Sequence, residues 1–412
     1  MDTAAAASTD TCVARQPIFD ERQRVFAYEL LFRSGTDNFF IPGPNPDMPS
    51  SHVISSGMFL GLAELTDSKP AFLNFSRAAL VEDFAFTLEP TDVVIEVLET
   101  VEPDAEVVEA CTRLKTAGYR LALDDFVDRP DYAPLVEMAD FIKVDVLLST
   151  PEERAALSRN YRTPARRMLA EKVETREAVA EASAEGYQYF QGYFFSRPTM
   201  MTSKELTGYR LNYLRLMREL NRPDVDMGRL EEVVKQEASI ALRLLRRVNS
   251  AAYGFRMTTS SLRHALVLLG EREVRVCATI WSLAELGKDL PAELIVASTL
   301  RARLCEMLAK SAGLSDRSSD LFLVGMFSML EAILQQPMEQ IVATLPLADD
   351  VRHALSGGSN TLRMVLDAVI AYERGQWDEA SEFAGQAGLT ERDLSTYYPK
   401  AIAWTRGIFE ST

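Results

Sequence analysis

The sequence predicts an α/β chain, with a β/α barrel in the first half and an all-α domain in the second. Three observations predict it. Short apolar runs recur through residues 13–200, helix-length amphipathic stretches separate them, and strand-like runs cease after Pro198. A parallel strand buried on both faces reads as a short apolar run, and alternation with helices points to a parallel sheet. At 412 residues the chain exceeds what one core commonly fills, about 250–300 residues, so two domains are expected.

In order, the runs are Tyr28–Leu31, Phe72–Phe75, Val94–Glu99, Leu121–Phe126, Phe141–Asp145, Met168–Glu171 and Tyr189–Gly192. Each carries a metal-binding or proton-handling side chain: Glu29, Asn74, Glu96, Asp124 with Asp125, Lys143, Glu171 and Gln191. Functional groups of a β/α barrel gather where its strands end, so the ordered set points to a single mouth. Between the runs, His52–Thr66 puts Ile54, Met58, Leu62 and Leu65 on one helical face. Pro103-Asp104 opens another helix with Val107, Cys111 and Leu114 inward and Gly118 as its C-terminal cap. Arg176–Glu185 repeats the plan and stops at Gly186, and the proline-rich stretch 42–49 reads as an inserted loop. Residues 1–12 have no basic residue and no long apolar core, so a disordered tail is expected there and not a signal peptide.

From about residue 205 only amphipathic helices follow. Cys277, Ile280, Trp281 and Ala284 make one stripe, and Leu300, Leu304, Met307, Leu308 and Ser311 another, ended by Gly313. Trp281, Trp377 and Trp404 read as core. The net charge of −16 argues against a nucleic-acid polymer, whose binding rests on Lys and Arg neutralising phosphates. A small anionic nucleotide is still admissible, because bound cations can supply the positive charge. Four widely spaced cysteines without a Cys-x-x-Cys pair fit a reducing cytoplasm. No run is long and apolar enough for a membrane span of about 18 residues.

On these residues, positions 13–200 resemble the EAL domain, a TIM-like β/α barrel that hydrolyses the bacterial second messenger cyclic di-GMP. The Glu-Ala-Leu motif reads Glu29-Leu30-Leu31, followed by Phe32-Arg33. The resemblance implies Glu29, Asn74, Glu96 and Asp124 as metal ligands, with Asp125 helping to hold a second ion. Glu171 and Lys143 then orient or deprotonate the water, and Gln191, Arg33 and Leu31 face the nucleotide. Glu99 and Glu174 are expected as rim charges. Were they all ionised in one mouth, Glu29, Glu96, Asp124, Asp125, Glu171 and Lys143 would sum to −4, which two divalent ions neutralise. Oxygen-rich ligation without Cys or His favours Mg²⁺ or Mn²⁺. A two-metal site suits phosphodiester cleavage.

Residues 205–410 resemble the HDOD domain, an all-α relative of HD-type phosphohydrolases that lacks their metal ligands. Arg243–Ala251 and Ala265–Gly270 carry the likeness. His264 and His353 each precede Ala, no His-Asp doublet occurs, and the chain has three histidines in all. The HDOD half is therefore expected to bind a protein partner, and the resemblance leaves room for a homodimer.

Departures from the EAL pattern bear on activity. Leu30 replaces Ala beside the first ligand and is expected to add bulk where substrate approaches. Val127 and Asp128-Arg129-Pro130-Asp131-Tyr132 replace a Gly/Thr/Ser-rich loop, and Lys172 follows Glu171 where Gly is usual. The expected function is metal-dependent hydrolysis of cyclic di-GMP to the linear dinucleotide, weak or conditional. The alternative is a catalytically silent nucleotide receptor or scaffold working through the HDOD domain.

Overall fold

The computed structural model describes residues 12–33, 61–196, 213, 216–221, 227–250, 259 and 261–410. Of the tail expected at 1–12, residues 1–11 lie outside these residues, and Cys12 is corrected to the buried first residue of a strand; the loop at 42–49 and the start of the His52–Thr66 helix also lie outside, while residues 61–65 are helical.

Eight strands close into a barrel in sequence order: β1 (Cys12–Asp20), β2 (Val25–Arg33), β3 (Ala71–Phe75), β4 (Val93–Val97), β5 (Arg120–Leu123), β6 (Phe141–Asp145), β7 (Arg167–Glu171) and β8 (Tyr189–Gln191). All seven expected runs fall on strands β2 to β8. From β2 to β8 every neighbouring pair is parallel. β1, which the sequence reading did not include, runs antiparallel to both β2 and β8. The helices close as expected. Asp104 caps Ala105–Thr116 through the amides of Glu106 and Val107, and Gly186 ends Arg176–Glu185 in the left-handed conformation.

Two layers fill the barrel. Each strand gives one apolar residue to the lower layer: Ile18, Ala27, Phe72, Val94, Ala122, Phe141, Leu169 and Tyr189. Side chains two positions apart share a face, so the next inward position toward the mouth lies two residues on, or two back in antiparallel β1. Those positions hold Gln16, Glu29, Asn74, Glu96, Asp124, Lys143, Glu171 and Gln191. Every one is polar. The same alternation places Leu30 on the opposite face of β2 from Glu29 and Leu31, fully buried. The expectation that Leu30 crowds the substrate is therefore corrected; its side chain packs behind the strand.

β1 and β8 pair over only Ile18–Asp20 of β1, which leaves the outer edge of the earlier part of β1 without a strand partner. A bare edge exposes backbone donors that must find acceptors. The hydroxyls of Tyr372 and Tyr398 accept from the amides of Val13 and Arg15 at 3.3 and 3.4 Å. Both rings are buried, with centroids 5.2 Å apart and planes tilted by 54°. These tyrosines belong to the barrel's own compact unit, which takes in Ile370–Glu382 and Thr390–Pro399 beside everything described before residue 198. In this respect the contact division differs from an expected helical domain running unbroken over 205–410.

The second unit is helical, and no strand follows Gln191 among the described residues. Its longest helix, Leu262–Leu286, buries Cys277, Ile280 and Trp281, and bends at Gly270. Ala292–Leu308 buries Leu300, Leu304 and Leu308. Gly325 of Ser318–Phe327 lies so close to Ala302 that a Cβ would come within 2.6 Å of its Cα, which lets these two helices meet backbone to backbone.

Replacing Tyr372 by Phe leaves the Val13 amide without its acceptor. The variant is expected to lose about 1 kcal/mol of stability, and its Val13 amide to exchange hydrogen faster than in the parent. Unchanged exchange at Val13 would show that the tyrosine does not guard this edge.

Candidate active site

The polar layer converges on Lys143. Its ammonium, buried to 1% exposure, lies 2.6 Å from Glu96, 2.7 Å from Asp124, 2.9 Å from Glu171 and 3.3 Å from Glu29. In strand register Asn74 lies beside Glu96, and Asp145 beside Glu171. Asn74 donates to Glu29 at 2.9 Å, and Gln191 donates to Glu29 at 2.6 Å and to Gln16 at 3.0 Å.

Burial and like charges act strongly on this cluster. Burial, reinforced by Glu29, pushes Glu96 well above the usual carboxylate range. Burial likewise raises Glu171 and Asp124 against the opposing charge of Lys143. Burial also works against ionised Glu29, but Lys143 and the donors on Gln191 and Asn74 outweigh it and hold Glu29 below its ordinary value. Desolvation opposes the Lys143 ammonium too, yet four carboxylates keep it well above the usual lysine range.

Several oxygens in this ring have no hydrogen-bond donor. Asn74 Oδ1, Glu96 Oε2, Glu171 Oε2 and Gln191 Oε1 are buried and unpartnered. Buried acceptors are normally satisfied. A hard divalent cation takes oxygen donors of this kind, so Glu29, Asn74, Glu96 and Asp124 fit a metal by their chemistry. Among the described residues no three acidic, His or Cys side chains are already drawn together around one point; the carboxylates are spread around the ammonium instead.

Asp125 is differently placed. Lys172 reaches it at 3.2 Å and Asp145 at 2.5 Å. Asp125 and Lys172 both have positive φ, 40° and 55°. A residue without a side chain adopts this backbone freely, which accounts for Gly being usual at the position of Lys172. Here the strained position carries an ammonium beside the acidic pair. Sequence reading registered Lys172 as a departure and missed these partners.

Above the ring opens a cleft of about 750 Å³. Glu29, Leu31, Asn74, Asp124, Asp125, Glu171 and Gln191 line it, as do the rim residues Glu99 and Glu174. Lys143 and Glu96 sit beneath. Arg33 is not among the lining residues. Its guanidinium pairs with Asp378 at 3.1 Å and with Glu391 at 3.7 Å, both within the barrel's unit. Gln16 was missed altogether. It lines the cleft and bonds to both Gln191 and Tyr193.

Comparison with known proteins agrees with both halves of the architecture. The EAL domain model matches residues 63–198, and the HDOD domain model residues 211–345. The chain is 33% identical over 407 residues to the Bacillus subtilis protein YuxH, covering 97% of this chain and 99% of the relative. It is 32% identical over 404 residues to the cyclic di-GMP phosphodiesterase CdgJ of Vibrio cholerae, covering 97% of this chain and 93% of that one. The solved Klebsiella pneumoniae BlrP1 complex with calcium and cyclic di-GMP aligns with a TM-score of 0.36 at 25% identity, over 48% of this chain and 58% of that one.

Removing the ammonium tests how much the ring depends on it. Lys143→Met leaves buried carboxylates without their counter-charge and is expected to cost roughly 3–5 kcal/mol in metal-free buffer. Mn²⁺ should then raise the melting temperature of the variant more than that of the parent. A metal-free variant as stable as the parent would show that the carboxylates do not rely on Lys143.

Proposed function

The chain belongs to the family that joins an EAL domain to an HDOD domain, and from that premise we propose that its barrel hydrolyses cyclic di-GMP to the linear dinucleotide. The observation that carries this reading is the convergence of Glu29, Asn74, Glu96, Asp124, Lys143 and Glu171 at one mouth, with unpartnered buried oxygens among them. A full-length relative that is a cyclic di-GMP phosphodiesterase favours it over a silent scaffold.

Glu29, Asn74, Glu96 and Asp124 would hold Mg²⁺ or Mn²⁺, which when bound supplies Lewis acidity and neutralises charge near the phosphate. Glu171 takes a proton from the attacking water as its oxygen bonds to phosphorus. One ribose oxygen leaves and takes a proton from solvent. Lys143 orients Glu171 and Asp124 and offsets their charge. Gln191 locks Glu29 in place through its 2.6 Å bond. Asp125 would contribute to a second ion, which has to compete with the Lys172 ammonium for the same carboxylate. This reading places the protein in the cytoplasm, with a protein partner on the HDOD domain and a homodimer as further parts of the proposal. Among the described residues no helix is long and apolar enough to cross a membrane.

Incubation of the purified chain with cyclic di-GMP and Mn²⁺ or Mg²⁺ is expected to yield linear dinucleotide on chromatography. Glu171→Gln should reduce turnover by about 10²–10⁴-fold, the usual loss for a general base. No product with either metal would overturn the reading, and near-parental turnover in the variant would move the base elsewhere.

Calorimetric titration addresses Lys172 separately. The parent is expected to take up one Mn²⁺ tightly and a second more weakly. Lys172→Gly should tighten the second by on the order of tenfold, the effect of removing one unit charge beside a carboxylate. An unaltered isotherm would mean that Lys172 does not compete for Asp125.

A further inference from the structure

The cleft has a wall from a distant part of the sequence. Its lining includes Arg374 and Gln376, which belong to the segment Ile370–Glu382 of the barrel's compact unit. Six carboxylates line the same cleft: Glu29, Glu99, Asp124, Asp125, Glu171 and Glu174. Against them stand two cationic side chains, Lys172 and Arg374. Lys172 is already paired with Asp125 and Asp145.

The backbone of Arg374 is fixed by hydrogen bonds, and its side chain is exposed. The helix Thr361–Glu373 ends just before it, with Gly375 at φ 68° and the Gln376 amide bonded back to the Ala371 carbonyl at 2.9 Å. That is a left-handed helix cap. Gly375 rests on Leu31, where a Cβ would meet Leu31 Cδ1 at 2.6 Å. The Arg374 carbonyl accepts from Gln16 at 3.2 Å, and Gln16 in turn bonds to Gln191, which donates to Glu29. The backbone of Arg374 is thus two side chains away from the first expected metal ligand. Its guanidinium lies 4.8 Å over the Tyr193 ring, and the residue is exposed to solvent.

We infer that Arg374 is a substrate-positioning residue, binding a phosphodiester oxygen of the dinucleotide from the cleft wall beside Gln16 and Tyr193. Arg presents a planar fork of donors that suits phosphate, and the Tyr193 ring beneath it offers a cation–π contact that favours its place in the cleft. Arg33, by contrast, does not line the cleft and pairs with Asp378 and Glu391. The inference rests on the reading that the cleft takes cyclic di-GMP.

The test uses steady-state hydrolysis of cyclic di-GMP by the full-length chain with Mn²⁺. Arg374→Ala is expected to raise KM roughly tenfold to a hundredfold, the worth of hydrogen bonds to a charged group. Turnover at saturation should change far less, and Mn²⁺ affinity and melting temperature not at all. Arg374→Lys should recover part of the loss. Raising the ionic strength should weaken the parent more than Arg374→Ala, because the variant lacks the screened contact. Arg159→Ala makes the same change in net charge on an exposed helix outside the cleft and should leave KM unaltered. If the parent hydrolyses cyclic di-GMP and Arg374→Ala keeps its KM, the inference about Arg374 is overturned while the function stands. A raised KM with unaltered salt dependence would overturn the phosphate assignment. A parent that neither binds nor hydrolyses the dinucleotide overturns both.

Discussion

Four carboxylates around one buried ammonium set the terms for the rest of the barrel. Bringing such charges out of water costs several kcal/mol each unless geometry and further hydrogen bonds compensate. The strands supply the geometry. With one apolar residue per strand below and one polar residue per strand above, the charged layer has a dry floor and cannot sink further. Asn74 and Gln191 supply the added donors to Glu29. What they leave is an excess of negative charge and four unpartnered buried oxygens. Cations resolve that excess directly, and protonation resolves it at the expense of ligand strength. Burial and like charge push Glu96 and Glu171 above the usual carboxylate range, which is the strain a cation would relieve.

Much of this was legible because period-two alternation leaves its trace in sequence. A polar side chain inside a short apolar run marks an inward position one layer above the floor, and β2 to β8 all show it. β1 does not read that way. Arg15, Gln16 and Pro17 interrupt its apolar residues, and it runs against its neighbours, so its polar contributor precedes its floor residue Ile18. Gln16 was lost for that reason. Leu30 shows the converse error, since the alternation that put Glu29 inside also required its neighbour outside. The ion pair of Arg33 could not be read from sequence, because its partner Asp378 lies 345 residues away.

The loop after Asp125 shows how a departure from the family pattern can be structural in content. In place of small flexible residues it has a braced turn. Arg129 pairs with Glu102 at 3.0 Å and with Asp131 at 2.6 Å. Tyr132 donates to the carbonyls of Glu99 and Val101, both at 3.0 Å, and Phe126 packs edge-on against Tyr161 with centroids 5.2 Å apart. The loop is thereby fastened to the segment that follows β4, beside Glu99 on the cleft rim. Most of that attachment rests on buried Tyr132, because the Arg129 ion pairs are exposed and contribute little.

The other side of the cleft is built from a segment that a barrel ending near residue 200 would lack. Tyr372 and Tyr398 cap the open edge of β1, Gly375 sits against Leu31, and the Arg374 carbonyl holds Gln16. Each of these contacts lands on β1 or β2, the strands that carry Gln16 and Glu29. The segment therefore acts on the site in two ways that share one cause. It stabilises the strand edge by satisfying backbone donors, and it sets the level of the Gln16–Gln191–Glu29 hydrogen-bond chain that orients the first carboxylate. Losing it would expose an unpaired edge and release that chain together. Edge closure and ligand orientation are thus one mechanical property of the mouth, carried by residues far apart in the sequence.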